Sequence, residues 1–143
     1  MAHPRQQIRD SFEAAIKAIP DYMPDNKIIV GNVFQVEDKK LPYTFVILGN
    51  ESETLLTQLN SYSRDLTLYV VIKCKNKERL SAIIEGENFA RQIEDQILDP
   101  FSPALIPIIK SINYLNFEIS EPKENDPTYS IQLSFSVKYT DSF

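Results

Sequence analysis

Between Pro4 and Ile19 the apolar residues fall at Ile8, Phe12, Ala15, Ile16 and Ile19. Gaps of three and four put them in one stripe along a helix, the face that a core would cover. Pro4 suits the first helical position, where a missing N–H loses no partner, and Pro20 stops the run. Arg9, Glu13 and Lys17 alternate in sign at i,i+4 spacing, worth ~0.2–0.5 kcal/mol per pair. A second helical pattern starts near Asn76, a good N-cap with Glu78 in the first turn. It runs to Leu98, burying Leu80, Ile83, Ile84, Ala90, Ile93 and Ile97, and ends at Pro100 and Pro103.

Elsewhere the period is two. "IIVGNVFQV" and "YTFVIL" are rich in β-branched and aromatic residues and predict strands, with "EDKKLP" as the turn between them. In "RDLTLYVVIKC", Leu66, Leu68, Val70, Ile72 and Cys74 share one face while Thr67, Tyr69, Val71 and Lys73 share the other. "INYLNFEIS" and "TYSIQLSFSVKYT" predict two more strands, joined by the charged "EPKENDP". In the last, Tyr129, Ile131, Leu133, Phe135, Val137 and Tyr139 face the core and contribute on the order of 10 kcal/mol gross by burial. Asn50–Ser63 is polar and predicts a long loop, although it holds Leu55, Leu56 and Leu59. "PALIPIIKS" predicts a packed, proline-broken connection.

The order is helix, three strands, helix, two strands. It predicts a single α+β domain over 1–143, a mostly antiparallel β-sheet of about four to five strands with two α-helices packed on one face. Ser130, Gln132, Ser134, Ser136 and Lys138 then form a wet second face.

Composition narrows function chiefly by exclusion. At 143 residues and a formal charge of −5, the chain suits one domain and argues against holding a phosphate backbone. One cysteine leaves no intrachain disulfide, and one histidine almost excludes a Cys/His zinc cluster or a Ser-His-Asp triad. Cys74, on an apolar strand face, reads as a small buried hydrophobe rather than a nucleophile. Gly31, Gly49 and Gly86 form neither a P-loop nor a dinucleotide fingerprint. The carboxylates of the second helix read as a solvated face, and His3 as a terminal residue rather than a metal ligand. The expectation is no catalysis, no cofactor and no metal. With no signal peptide and no apolar run of about 18 residues, no membrane is expected, and the expected location is the cytosol of the cell that makes the chain.

Weight therefore falls on assembly. The acidic, leucine-bearing loop proposes Glu51, Glu53, Leu55, Leu56, Leu59 and Tyr62 as contacts with a partner. Arg5 and Arg9 add a second group, because the positive end of a helix dipole favours carboxylates rather than arginines.

"HPRQQIRDSFEAAIKAI" resembles the start of the tail terminator (tail-completion) proteins of long-tailed bacteriophages. "EDKKLPYTFVILGNESE" resembles that family's Leu-Pro strand and acidic Glu/Ser loop. "RDLTLYVVIKCKNKERLSAIIEGENFARQIEDQIL" resembles its Arg-x-Leu-x-Leu strand and amphipathic helix. The resemblance implies a ring, typically a hexamer, on the head-proximal end of the virion's tail tube. Its partners would be itself, the tail tube protein and the head–tail connector protein, with DNA passing through the lumen without specific binding. It would also give Arg5 a carboxylate on another subunit or on the tail tube. A head-to-tail connector, a tube subunit, an enzyme of unfamiliar type and a non-phage cytosolic binding module are the alternatives.

Overall fold

The computed structural model describes residues 3–30, 42–55, 61–75, 79–120 and 128–142. Helix α1 spans Pro4–Lys17, and the ring of His3 caps it by accepting from the Arg5 N–H at 3.1 Å. Ile8, Phe12, Ala15 and Ile16 are all buried, as their spacing predicts. A single 3₁₀ turn, Asp25–Lys27, leads into strand β1, Ile28–Val30. Strands β2 (Tyr43–Leu55) and β3 (Ser61–Lys75), helix α2 (Arg79–Leu98), and strands β4 (Ile109–Ser120) and β5 (Thr128–Ser142) complete the described elements.

The strands form one sheet in the order β1-β2-β3-β5-β4. β1 runs parallel to β2, and every other pairing is antiparallel. The expected α+β fold is therefore present, with both helices on one face. The remainder of the expected first strand, the turn "EDKKLP" up to Leu41, and the Asn76 cap lie outside the described residues.

Apolar alternation on β3 and β5 meets the helices directly. Phe135 is the hub: Phe12 of α1 and Tyr114 of β4 each pack edge-on against its ring, at 5.7 and 5.6 Å. Tyr22 packs on Phe89 of α2 in the same way at 5.1 Å. Gly86 lets α2 lie close to β5, since a Cβ there would fall 2.1 Å from Ile131 Cδ1. Cys74 is buried at 1% exposure beneath that contact, and burial pushes its thiol up to about 12 with help from the Glu85 charge.

Three expectations need correction. Asn50–Ser63 is mostly not a loop: β2 continues to Leu55 and β3 begins at Ser61, with Leu55 opposite Tyr62. Cross-strand pairing from Glu51 opposite Leu66 to Leu55 opposite Tyr62 holds these polar residues extended without apolar alternation. Ile84 is 48% exposed and Ile83 only half-buried. Gly86, Ala90, Ile93 and Ile97 define the buried stripe of α2, and at 100° per residue Ile84 lies on its far side. Ser134 and Ser136, expected to be wet, are 5% and 8% exposed. Their short side chains sit on an interior strand between β3 and β4, and the taller neighbours shade them.

Candidate functional site

One irregularity in the β2–β3 pairing creates the site. Leu48 pairs with Leu68, but Glu51 pairs with Leu66, so β2 contains one extra residue there. Such a bulge reverses the in–out alternation beyond it. Glu51 is thereby turned onto the helix-covered face beside Leu66, instead of toward the open face. Gly49 sits in the irregular stretch, where a Cβ would lie 2.5 Å from the Tyr69 ring and 3.0 Å from the Thr67 carbonyl oxygen.

The part-buried carboxylate is then surrounded. Arg64 Nη1 donates to Glu51 Oε2 at 3.3 Å, and Tyr139 donates its phenolic hydrogen to Glu51 Oε1. Arg5 brings its Nε to 3.7 Å from the same Oε2. The side chains of Glu51 and Arg64 are 13% and 12% exposed, whereas that of Arg5 is 46% exposed. His3 holds Arg5 in turn, its Nδ1 accepting from the Arg5 Nε at 3.3 Å. Burial raises the Tyr139 phenol well above its ordinary range, and the hydrogen bond to Glu51 and that residue's charge push the same way. Arg64 and Arg5 partly oppose them. Tyr139 is accordingly a permanent donor near neutral pH.

This arrangement ties together the ends of β2, β3 and β5, and Arg5 at the start of α1 reaches its edge. One carboxylate held by the Arg64 guanidinium and the Tyr139 phenol, with Arg5 beside it, ties these elements into one polar network. Arg64 shares the sequence parity of Leu66 and Leu68, and a charge on the apolar face of a strand requires a buried partner. That was the signal for the cluster in the sequence. Nothing pointed to Tyr139 as its donor, and the bulge hid Glu51.

The structure brings Arg5 and Glu51 together, within one chain. Arg9 approaches Asp10 at 3.9 Å, while Glu13 pairs with Lys17 at 3.8 Å, so the expected ladder forms only in its second half. Glu53, Leu55 and Tyr62 lie on the paired ends of β2 and β3. Their side chains, together with Leu56 and Leu59, fall outside the described residues. On the open face, Ser136 Oγ donates to Asp65 Oδ1 beside a shallow cleft of about 270 Å³ lined also by Asn50, Glu51, Ser52, Thr67 and Leu115. Among the described residues, no group of three or more His, Cys, Asp and Glu side chains is placed to hold a metal ion. No described helix is long and apolar enough to cross a membrane.

Fold and site together define a class: a small α+β domain with a part-buried Glu51–Arg64–Tyr139 cluster at one end of its sheet, to which the first helix adds the half-exposed Arg5. No protein-family model matches the chain, and no curated protein does. Among solved structures, it is similar to a chain of the virion of native gene transfer agent (GTA) particle. The TM-score is 0.46 at 12% identity, covering 96% of this chain and 91% of that chain.

Proposed function

We propose that this chain is a structural protein of phage assembly, forming a ring at the head-proximal end of a tail tube. There it stops tube polymerisation and offers the surface to which a filled head attaches. The observation that carries this reading is the convergence at Glu51. His3 and Arg5 come from "HPRQQIR", Glu51 from "GNESE" and Arg64 from "RDLTL", the three separate stretches that resemble tail terminators. In space they make one cluster. Segments that resemble a family one by one, and also meet as one structural unit, support membership better than any one of them.

The role requires no reaction; its free energy comes from contacts between subunits and with the tube. The formal charge of −5 suits a lumen through which DNA slides without being held. The test is electron microscopy of a lysate in which this gene alone is disabled. Overlong or irregular tails without heads are the expected result. Tails of normal length that fail to join heads would replace this reading with a head–tail connector, and intact particles would overturn it.

A further inference from the structure

The segment after α2 holds an aromatic ring in water. Phe101 is 93% exposed, and Leu98 and Leu105 beside it in sequence are 45% and 40% exposed. The turn that carries Phe101 is built to stay as it is. Asp99 Oδ1 accepts from the Phe101 N–H at 2.8 Å, and the Asp99 carbonyl accepts from the Ser102 N–H at 2.9 Å. Buried Ser102 then accepts from the Ala104 N–H at 3.1 Å. Pro100 and Pro103 flank the ring and restrict the backbone further. A preordered apolar group loses little conformational freedom on docking, which is how binding surfaces gain affinity.

Its surroundings define the partner. A groove of about 490 Å³ beside the turn is lined by Leu98 and Pro100, with Glu94, Asp95 and Asp99 against the single cation Arg91. Arg91 is already engaged, with its Nε 3.9 Å from Asp95. A net negative rim opposes two copies meeting through this same surface, since a two-fold contact would set carboxylate against carboxylate. It calls for a group that both pairs with carboxylates and stacks on an aromatic ring, and guanidinium does both.

This chain presents guanidiniums on its other helix. The first turn of α1 carries no carboxylate; it holds Arg5, 46% exposed, and Arg9 follows one turn later on the same flank, 29% exposed. Arg5 can be shared, because Arg64 and Tyr139 already satisfy Glu51. α1 lies over β1 and β2, whereas α2 lies over β3, β5 and β4. Copies set side by side would thus place the α1 flank of one against the α2 flank of the next.

We infer that the Leu98–Phe101–Leu105 surface and its acidic rim dock the Arg5/Arg9 flank of a second copy of this chain. The contact is heterologous, so repetition closes a ring or builds a filament. It deepens the ring reading proposed above and rests on it for closure.

The test is sedimentation velocity of the full chain over a range of concentrations, at low and high salt. Wild type should associate, and more weakly as salt screens the rim. Phe101→Ser should weaken association at least tenfold with an unchanged circular dichroism spectrum. Arg9→Glu and Asp95→Lys should each be monomeric alone, yet associate when mixed, because each supplies the charge the other lost. A monomeric wild type at low salt, association unaffected by Phe101→Ser, or no recovery in the mixture would overturn the inference. Retained association with lost binding to purified tail tubes would overturn it too, in favour of the tube as occupant. Association that responds as expected, in a protein whose gene disruption leaves particles intact, would keep this interface and remove the terminator role.

Discussion

At one end of the sheet a carboxylate, a guanidinium and a phenol are drawn inward; beyond α2 a phenylalanine is held outward. Both places reverse the ordinary partition of polar and apolar groups, and they differ in how the reversal is tolerated. Glu51 needs its neighbours, since a buried charge without a partner is costly. Phe101 needs no partner to remain folded, because its turn is held by the Asp99 carboxylate and carbonyl, which accept from the Phe101 and Ser102 N–H groups, rather than by the ring. The first reversal serves the fold. The second serves something outside the protomer.

Substitutions should separate the two. Arg64→Ala leaves Glu51 without its closest cation and should cost about 3 kcal/mol, lowering the melting temperature by roughly 10 °C. Replacing Glu51 by Gln in that background should restore part of the loss; a double variant less stable than the single would break the anchor account. Tyr139→Phe removes a donor to a charged acceptor but keeps Arg64, and about 2 kcal/mol is expected from denaturant titration.

Alkaline pH tests the buried acids together. The Cys74 thiol is raised from 9.0 to about 12 and the Tyr114 phenol from 10.0 to about 12, by burial first in each case. Below pH 9 both folded and unfolded chains keep these protons, so stability should not depend on them. Above it the unfolded chain releases protons that the folded chain retains. Stability should therefore fall from pH 9 toward pH 12. Cys74→Ala should delay the onset of the decline, and an identical profile would place the linkage elsewhere.

Arg5→Ala should cost at most about 0.5 kcal/mol, because its half-exposed pair with Glu51 is solvent-screened. Least of all, Phe101→Ser should change stability by less than about 0.5 kcal/mol. A large loss of stability at Phe101 would mean that the ring belongs to the fold, and the contrast between the two regions would collapse.

What could be seen in advance followed the two periodicities. The stripe of α1, the apolar faces of β3 and β5, and the burial of Cys74 are all consequences of spacing alone. Spacing failed where the backbone broke register or left the core. One extra residue between Leu48 and Glu51 reverses the parity on which every strand assignment depends, and no residue type announces it. The outer ends of β2 and β3 are polar strands, and polarity without alternation looks like a loop. Charge and position single out Arg5 and Glu51 as contacts, but for an intermolecular role; their pairing within the chain depends on that hidden bulge. Phe101 lies between prolines in a stretch without period, where pattern cannot decide between inside and outside.

The position of β5 has a consequence for how the protein is made. This strand separates β3 from β4 in the sheet, yet it follows both in chain order. While 128–142 are still being translated, β3 has one neighbour, β4 has none, and Phe135 is not yet present to receive Phe12 and Tyr114. A nascent chain therefore cannot complete its core in stages. It carries two open strand edges until its last strand inserts between them. Completion is a single late event, and a product cut short before Thr128 would be an aggregation-prone fragment rather than a smaller version of the fold.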